Sequence, residues 1–288
     1  MRLTLVGLSH KTAPVEIREK LTFPAHRQED ALSALLDSPC VSEAVIVSTC
    51  NRTEIYACTC AEDDGPGAII DFMADYHGLD RHELVRYLYV SEGESVVKHL
   101  FRVVASLDSM VLGEAQILGQ VKEAYEHSFS ASTTGRIFNK LFRQSFELGK
   151  RVRTETEIGE NAVSISYAAV ELAKKVFDSL EGRTILILGA GKMSELTAKH
   201  LVCNGVSSVL VANRTYERAQ ELAERFEGEA IRYDDLYERM RDADIVISST
   251  AATHYVVTKD RVAAAMRGRK GDPLFVIDIA VPRDIDPE

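Results

Sequence analysis

One short segment of this chain carries a thiol, a guanidinium and a carboxylate. Cys50, Arg52 and Glu54 fall within Val47-Ser48-Thr49-Cys50-Asn51-Arg52-Thr53-Glu54. The segment follows the apolar run Ala44-Val45-Ile46-Val47 and precedes a second strand-like run, Ile55-Tyr56-Ala57. A thiol with a cation two residues away has a reason to ionise, and the thiolate is the nucleophile. Much later, Ile185-Leu186-Ile187-Leu188 runs into Gly189-Ala190-Gly191-Lys192-Met193-Ser194 and a helical pattern. In that strand–turn–helix context the first Gly makes the tight turn and the second lets a pyrophosphate approach the backbone. The helix N-terminus supplies free N–H groups. A nucleophilic thiol joined to a hydride carrier points to one chemistry: acylate the thiol, then reduce the thioester.

The second strand of the cofactor half bears on which dinucleotide fits. An NAD site places Asp or Glu about 20 residues on, for the ribose 2′-OH. Here Ala212-Asn213-Arg214-Thr215 offers no acid, and an Arg between small polar side chains suits a 2′-phosphate. NADP(H) is therefore favoured, although Arg214 could also be a plain surface residue. Ser194 replaces the usual third small residue and predicts slightly looser packing. Ser249-Thr250-Ala251 ends the fourth strand, where open α/β sheets place ligands, and Thr250 is assigned to the nicotinamide side.

Other side chains have both a bland and a sharper reading. Gln116, Gln120 and Glu123 form a helical polar stripe opposite Leu118, Val121 and Tyr125. Such stripes are usually wet faces; with a nearby Ser and a preceding glycine turn, this one could hold an amino acid's polar groups. Arg136, Lys140, Arg143, Lys150, Arg151 and Arg153 crowd one stretch, with Phe138, Leu141, Phe142 and Phe146 on the opposite side. That face is either solvated or in contact with phosphates. Cys58-Thr59-Cys60 lacks zinc-site spacing, so no metal is expected.

The elements that must position these residues form two patterns. Over 1–153, strands at 3–9, 44–49 and 54–58 mix with helices at 15–21, 27–36, 68–77, 94–107, 114–129 and 136–153: an α+β catalytic domain. Residues 154–181 read as a polar connector and a linking helix. Over 182–288, strands alternate with amphipathic helices, predicting a doubly wound parallel sheet, Rossmann-like, for the NADP-binding domain. The 288 residues suit about two domains. With 45% hydrophobic and 27% charged residues, the composition is that of a soluble protein. No apolar stretch approaches the ~20 residues of a membrane span. The N-terminus lacks a signal peptide's features, and five cysteines fit neither a disulfide scaffold nor an oxidising compartment. A net charge of −10 argues against nucleic-acid binding by the chain as a whole.

At this point the sequence resembles the glutamyl-tRNA reductase family. The resemblance rests on Gly7-Leu8-Ser9-His10-Lys11-Thr12-Ala13-Pro14, Ser48–Glu54, His99-Leu100-Phe101-Arg102 and Leu107–Gln120. It continues through the Gly189–Ser194 turn, Ala212–Thr215 and Ile277–Asp284, in order along the chain. It implies that Cys50 attacks the ester joining glutamate to the tRNA 3′ end. NADPH then reduces the thioester to glutamate-1-semialdehyde, the first step of five-carbon tetrapyrrole (porphyrin) synthesis. Arg52 is assigned to the glutamate γ-carboxylate. Thr49, Asn51, Ser109, Glu114, Ala115, Gln116 and Gln120 are assigned to the remaining polar groups, and His99 to a proton-handling role near the thioester. The cofactor would lie on Gly189, Ala190, Gly191, Lys192, Met193 and Ser194, with Asn213, Arg214, Thr215 and Thr250. Lys192 stands where such enzymes often have an acid. The resemblance also implies a cytoplasmic enzyme, homodimeric through a C-terminal helical domain that this chain lacks. Glutamate-1-semialdehyde aminomutase is a further expected partner. The competing readings are a shikimate-dehydrogenase-like NADP oxidoreductase and a non-catalytic NADP- or tRNA-binding regulator.

Overall fold

The computed structural model describes residues 1–60, 64–114, 116–156, 158, 165–269 and 271–288, with the side chains of 165 and 166 left aside. Two compact units divide between Ala162 and Val163. The helix expected to link the domains packs within the second unit, and much of the expected connector lies outside the described residues.

The first unit begins with β1 (Arg2–Ser9), α1 (Val15–Lys20), α2 (Gln28–Leu36), β2 (Val41–Ser48) and β3 (Arg52–Thr59). It continues through α3 (Gly65–His77), α4 (Arg81–Val85), β4 (Tyr89–Glu92), α5 (Glu94–Val104), α6 (Gln116–Ser130) and α7 (Arg136–Glu155). The strands form an antiparallel sheet in the order β2-β3-β1-β4. Strand alternation divides its core in two. Ala44, Ile46, Ile55 and Ala57 face a cluster with Leu32, Leu35, Ile69 and Met73 of α2 and α3. Val45, Val47, Tyr56 and Cys58 face one with Val96, Leu100, Val121, Phe138 and Phe142 of α5, α6 and α7. Strand β4 was not expected from the sequence; it is a four-residue edge strand of alternating exposure, too short for a periodicity signal. The helix expected over 94–107 stops at Val104, and turns occupy 105–113, with Ser106 at φ 59° and Gly113 at φ 82°. The chain thereby leaves the helix to form a loop.

The second unit runs α8 (Ile165–Phe177), β5 (Thr184–Leu188), α9 (Lys192–Cys203), β6 (Ser208–Ala212), α10 (Tyr216–Glu224) and β7 (Glu229–Ile231). Then follow α11 (Leu236–Arg239), β8 (Ile245–Ser248), α12 (Lys259–Met266) and β9 (Phe275–Asp278). All five strands are parallel, in the order β7-β6-β5-β8-β9. Ile185 and Ile187 pack on one side and Leu186 and Leu188 on the other, so both faces are covered, as a doubly wound sheet requires. Among the described residues no helix is long and apolar enough to cross a membrane.

Candidate functional site

Cys50 sits at the tip of the tight connection between β2 and β3. Thr49 N donates to Arg52 O at 2.8 Å, and the Thr49 hydroxyl accepts from the amides of Asn51 and Arg52, both at 3.2 Å. His10 N donates to Asn51 O at 2.8 Å, and an Arg18 Nη1–H donates to the Cys50 carbonyl. The tip is therefore fixed from β1, from α1 and from within.

Arg52 starts β3 with its side chain turned inward, 1% exposed. Its Nη1 lies 2.6 Å from Glu54 Oε1, and its Nη2 donates to the Asp108 carbonyl at 2.6 Å. Glu54 also accepts from the hydroxyls of Tyr56 at 2.7 Å and Tyr89 at 2.5 Å, and lies 2.7 Å from His99 Nε2. Burial alone would push the Glu54 carboxyl up. Arg52, His99 and Tyr89 outweigh it and hold the group well below the usual carboxylate range. Asp108 in turn pairs with Lys11. A chain of polar contacts thus runs His99–Glu54–Arg52–Asp108–Lys11.

This corrects the expectation that Arg52 ionises the thiol. Burial, then Glu114, push the Cys50 thiol up, and the cation opposing them is Arg18. Arg52 projects into the α5 side of the sheet, where Glu54 already meets its charge.

Thr49, Asn51, Arg52, Ser109, Glu114, Ile117 and Gln120 line one small pocket flanking Cys50. Six of the residues assigned from sequence to the substrate therefore meet there, from the turn, the 105–114 loop and α6. Ser109 Oγ is buried without a hydrogen-bond partner, a polar atom available to a ligand. Burial pushes the Glu114 carboxyl up. Gln116 opens α6 one turn before Gln120, outside the pocket lining, and Ala115 lies outside the described residues. His99, on α5, directs Nε2 to Glu54. Sequence reasoning missed Arg18 and Asp108 as parts of this site and singled out Glu54 without giving it a role. The alternation of Arg52, Glu54 and Tyr56 along β3, which puts all three on one face, was the available signal for Glu54.

The basic helix is α7. Arg136, Lys140, Arg143, Lys150 and Arg151 are exposed, and Arg151 pairs with Glu155 at 3.1 Å. Arg153 has another role: its Nη2 donates to Gly113 O at 2.9 Å, holding the pocket loop. Buried Glu43 accepts from Ile137 N and Phe138 N, at 3.1 and 2.8 Å, and so caps the helix start.

In the second unit the cofactor turn lies at the switch point of the sheet, between the ends of β5 and β8. Gly189 has φ 88°, and a Cβ there would stand 2.5 Å from Ser249 O, so only glycine fits. Gly191, at the start of α9, has no such clash: a Cβ there would make ordinary contact, with its nearest neighbour 3.6 Å away. The tight turn running into a helix N-terminus fits a dinucleotide's pyrophosphate, with Ala190 in the turn and Lys192 and Met193 opening α9. Ser194 corrects the expectation of looser packing. It is fully buried, and its hydroxyl contacts Gly189 O and Gly191 O, each at 3.0 Å, tying the turn to the helix. Asn213 Nδ2 donates to Thr215 O at 2.9 Å, which leaves Arg214 exposed at the end of β6.

Thr250 is held by a residue the sequence reading passed over. Asp284 Oδ2 accepts from Thr250 N and from the Ser248 hydroxyl, both at 2.7 Å, and Oδ1 accepts from the Thr250 hydroxyl. Asp278 Oδ2 accepts from the amides of Asp284 and Ile285 at 2.9 and 3.0 Å. Two carboxylates thus latch the segment after β9 onto the end of β8. No group of three or more metal-ligating side chains occurs among the described residues.

A family model described as glutamyl-tRNAGlu reductase, N-terminal domain, matches residues 6–156, and one described as shikimate / quinate 5-dehydrogenase matches 171–288. The chain is 55% identical over 288 residues to a glutamyl-tRNA reductase of Pelotomaculum thermopropionicum, covering 100% of this chain and 65% of that protein. It is 52% identical over 288 residues to one of Geobacter sulfurreducens, covering 100% of this chain and 66% of that protein. Among solved structures it is similar to the glutamyl-tRNA reductase from Methanopyrus kandleri, at 43% identity and a TM-score of 0.54, covering 99% of this chain and 68% of that one. The chain thus spans just under two thirds of the length of these curated relatives.

Proposed function

The chain belongs to the glutamyl-tRNA reductase family, and from that premise we propose that it carries the NADPH-dependent reduction of glutamyl-tRNA(Glu) to glutamate-1-semialdehyde, at the entry to tetrapyrrole synthesis. The observation that carries this reading is the polar pocket flanking Cys50. In it, Cys50 Sγ attacks the ester carbonyl. The carbon–oxygen bond to the terminal ribose breaks, the tRNA leaves with a proton, and a thioester remains on Cys50. Arg52 offers its unused N–H groups to the substrate γ-carboxylate while Glu54 keeps the guanidinium in place. Glu114 faces the substrate ammonium, and Ser109, Asn51, Thr49 and Gln120 take its other polar atoms. Gln116 and Ala115 belong to the same segment. His99 acts on Arg52 through Glu54, as a positioning residue.

NADPH, when bound, supplies the hydride that converts the acyl group to the aldehyde. Gly189–Ser194 would hold its pyrophosphate, Asn213, Arg214 and Thr215 its 2′-phosphate, and Thr250 its nicotinamide side. In this reading residues 1–153 carry catalysis, 154–181 link, and 182–288 hold the cofactor. The exposed cations of α7 are offered to tRNA phosphates. A cytoplasmic location, a homodimer of the full-length protein and transfer of the aldehyde to glutamate-1-semialdehyde aminomutase complete the proposal.

The test is direct trapping. The chain is mixed with tRNA carrying isotopically labelled glutamate, without NADPH, quenched in acid and mapped by peptide mass. Label is expected on the Cys50 peptide, releasable by hydroxylamine and absent in Cys50→Ser. An unlabelled Cys50 overturns the reading.

A further inference from the structure

Buried side-chain atoms without hydrogen-bond partners are few among the described residues, and three of them lie about the Cys50 turn: His10 Nδ1, Arg18 Nε and Ser109 Oγ. Ser109 belongs to the substrate pocket; the other two do not line it. Arg18 is half-buried on α1, 32 residues before the turn, and an Nη1–H of its guanidinium is bound to the Cys50 carbonyl. Its Nε–H has no acceptor. Arg52, the nearer cation in sequence, is engaged with Glu54 and Asp108.

We propose that Arg18 is a positioning residue for the nucleophile: it clamps the Cys50 main chain and supplies the positive charge beside which the thiolate forms. The proposal rests on Cys50 being the nucleophile of the reaction above. Two charges of opposite sign act on the thiol. Glu114, from the pocket side, favours the protonated form, and Arg18 favours the thiolate. The remaining charged neighbours of the turn offset one another. Arg52 is met by Glu54, and Lys11 is met by Asp108. Burial, then Arg52, Lys11 and Arg18, push the His10 imidazole down, which disfavours a positive charge there. Arg18 is the cation left facing the thiol. Its Nε–H, with no protein acceptor, is free to bind an anion formed at the turn. A guanidinium suits this task, since one N–H can hold the carbonyl while the others remain free.

The experiment is the pH dependence of Cys50 alkylation by iodoacetamide, followed by peptide mapping that separates it from Cys40, Cys58, Cys60 and Cys203. In this reaction the thiol gives its proton to solvent and the thiolate displaces iodide. Arg18→Gln keeps an N–H for the carbonyl but removes the charge, so the midpoint of the rate–pH curve should rise by about one unit. Arg18→Lys keeps the charge, so its midpoint should stay within half of that shift. A wild-type midpoint in folded Arg18→Gln overturns the proposal. If that variant does not fold, a midpoint in Arg18→Lys raised by the full unit overturns it instead. Alkylation needs neither tRNA nor cofactor. A shifted midpoint with no trapped thioester would therefore sink the functional reading and leave only the effect of Arg18 on the thiol, and a trapped thioester with an unmoved midpoint would sink the role of Arg18 alone.

Discussion

The Cys50 turn and the Gly189 turn both end a strand, yet they are held by different means. At Cys50, side chains from α1, α5 and the 105–114 loop converge with the main chain of His10, and a buried ion pair of Arg52 and Glu54 underlies them. At Gly189 the geometry is set by main chain, by a glycine that admits no Cβ and by the Ser194 hydroxyl folded back on the turn. The first arrangement depends on many distant residues being correct together. The second draws its side chains from six consecutive residues and meets distant ones chiefly through main chain, at Ser249, with Asp284 bracing that neighbouring strand end.

The largest test of this contrast removes one member of the buried pair. Glu54→Gln removes the closer counter-charge of Arg52, leaving Asp108 at 3.6 Å, and should cost about 3–5 kcal/mol in urea unfolding of the first unit. Arg52→Met combined with Glu54→Leu should recover most of that loss, though not reactivity toward substrate. A Glu54→Gln cost below ~1 kcal/mol, typical of a surface pair, would break the contrast.

A smaller effect is expected at the second turn. Asp284→Asn exchanges a carboxylate that accepts three hydrogen bonds for an amide that accepts on one side only. It should cost about 1–3 kcal/mol and weaken NADPH binding, read by fluorescence titration. A loss as large as that of Glu54→Gln would show that this turn is also held chiefly by side-chain charge.

The smallest effect concerns acid. Burial, then Arg27, push His77 down to about 4 from 6.5, so the folded state keeps it neutral. Its contribution to stability is complete above pH 6.5 and is lost as the pH falls toward 4. The melting temperature of the first unit should fall across that window, and His77→Phe should flatten the fall by roughly 2–4 °C. An identical slope in the variant would remove His77 from the account.

The same contrast explains what the sequence made legible. The parallel sheet, its strand ends and the cofactor turn follow from alternation and from glycine spacing, because each depends on neighbours in the chain. The pocket residues around Cys50 were named through a resemblance, and six of them meet in one cavity. Their electrostatics were not legible. Whether Arg52 faces the thiol or the sheet interior depends on strand register, and the partner that turns it inward, Glu54, lies on the same face two residues on. Arg18 is invisible for the opposite reason: nothing in a six-residue helix reveals that it reaches a turn 32 positions later. The break at 105–113 escaped notice because the apolar pattern of α5 continues into the loop.

The Arg52–Glu54 pair also constrains how this site can change over generations. Only Arg52 reaches the pocket, but a replacement at either position takes from the other its closest buried counter-charge. A lineage altering the specificity of the pocket through residue 52 would have to alter residue 54 in nearly the same step. Tyr56, Tyr89 and His99, which also bind that carboxylate, would then be left to find new partners. Drift at the pocket is therefore restrained by a residue that does not line it.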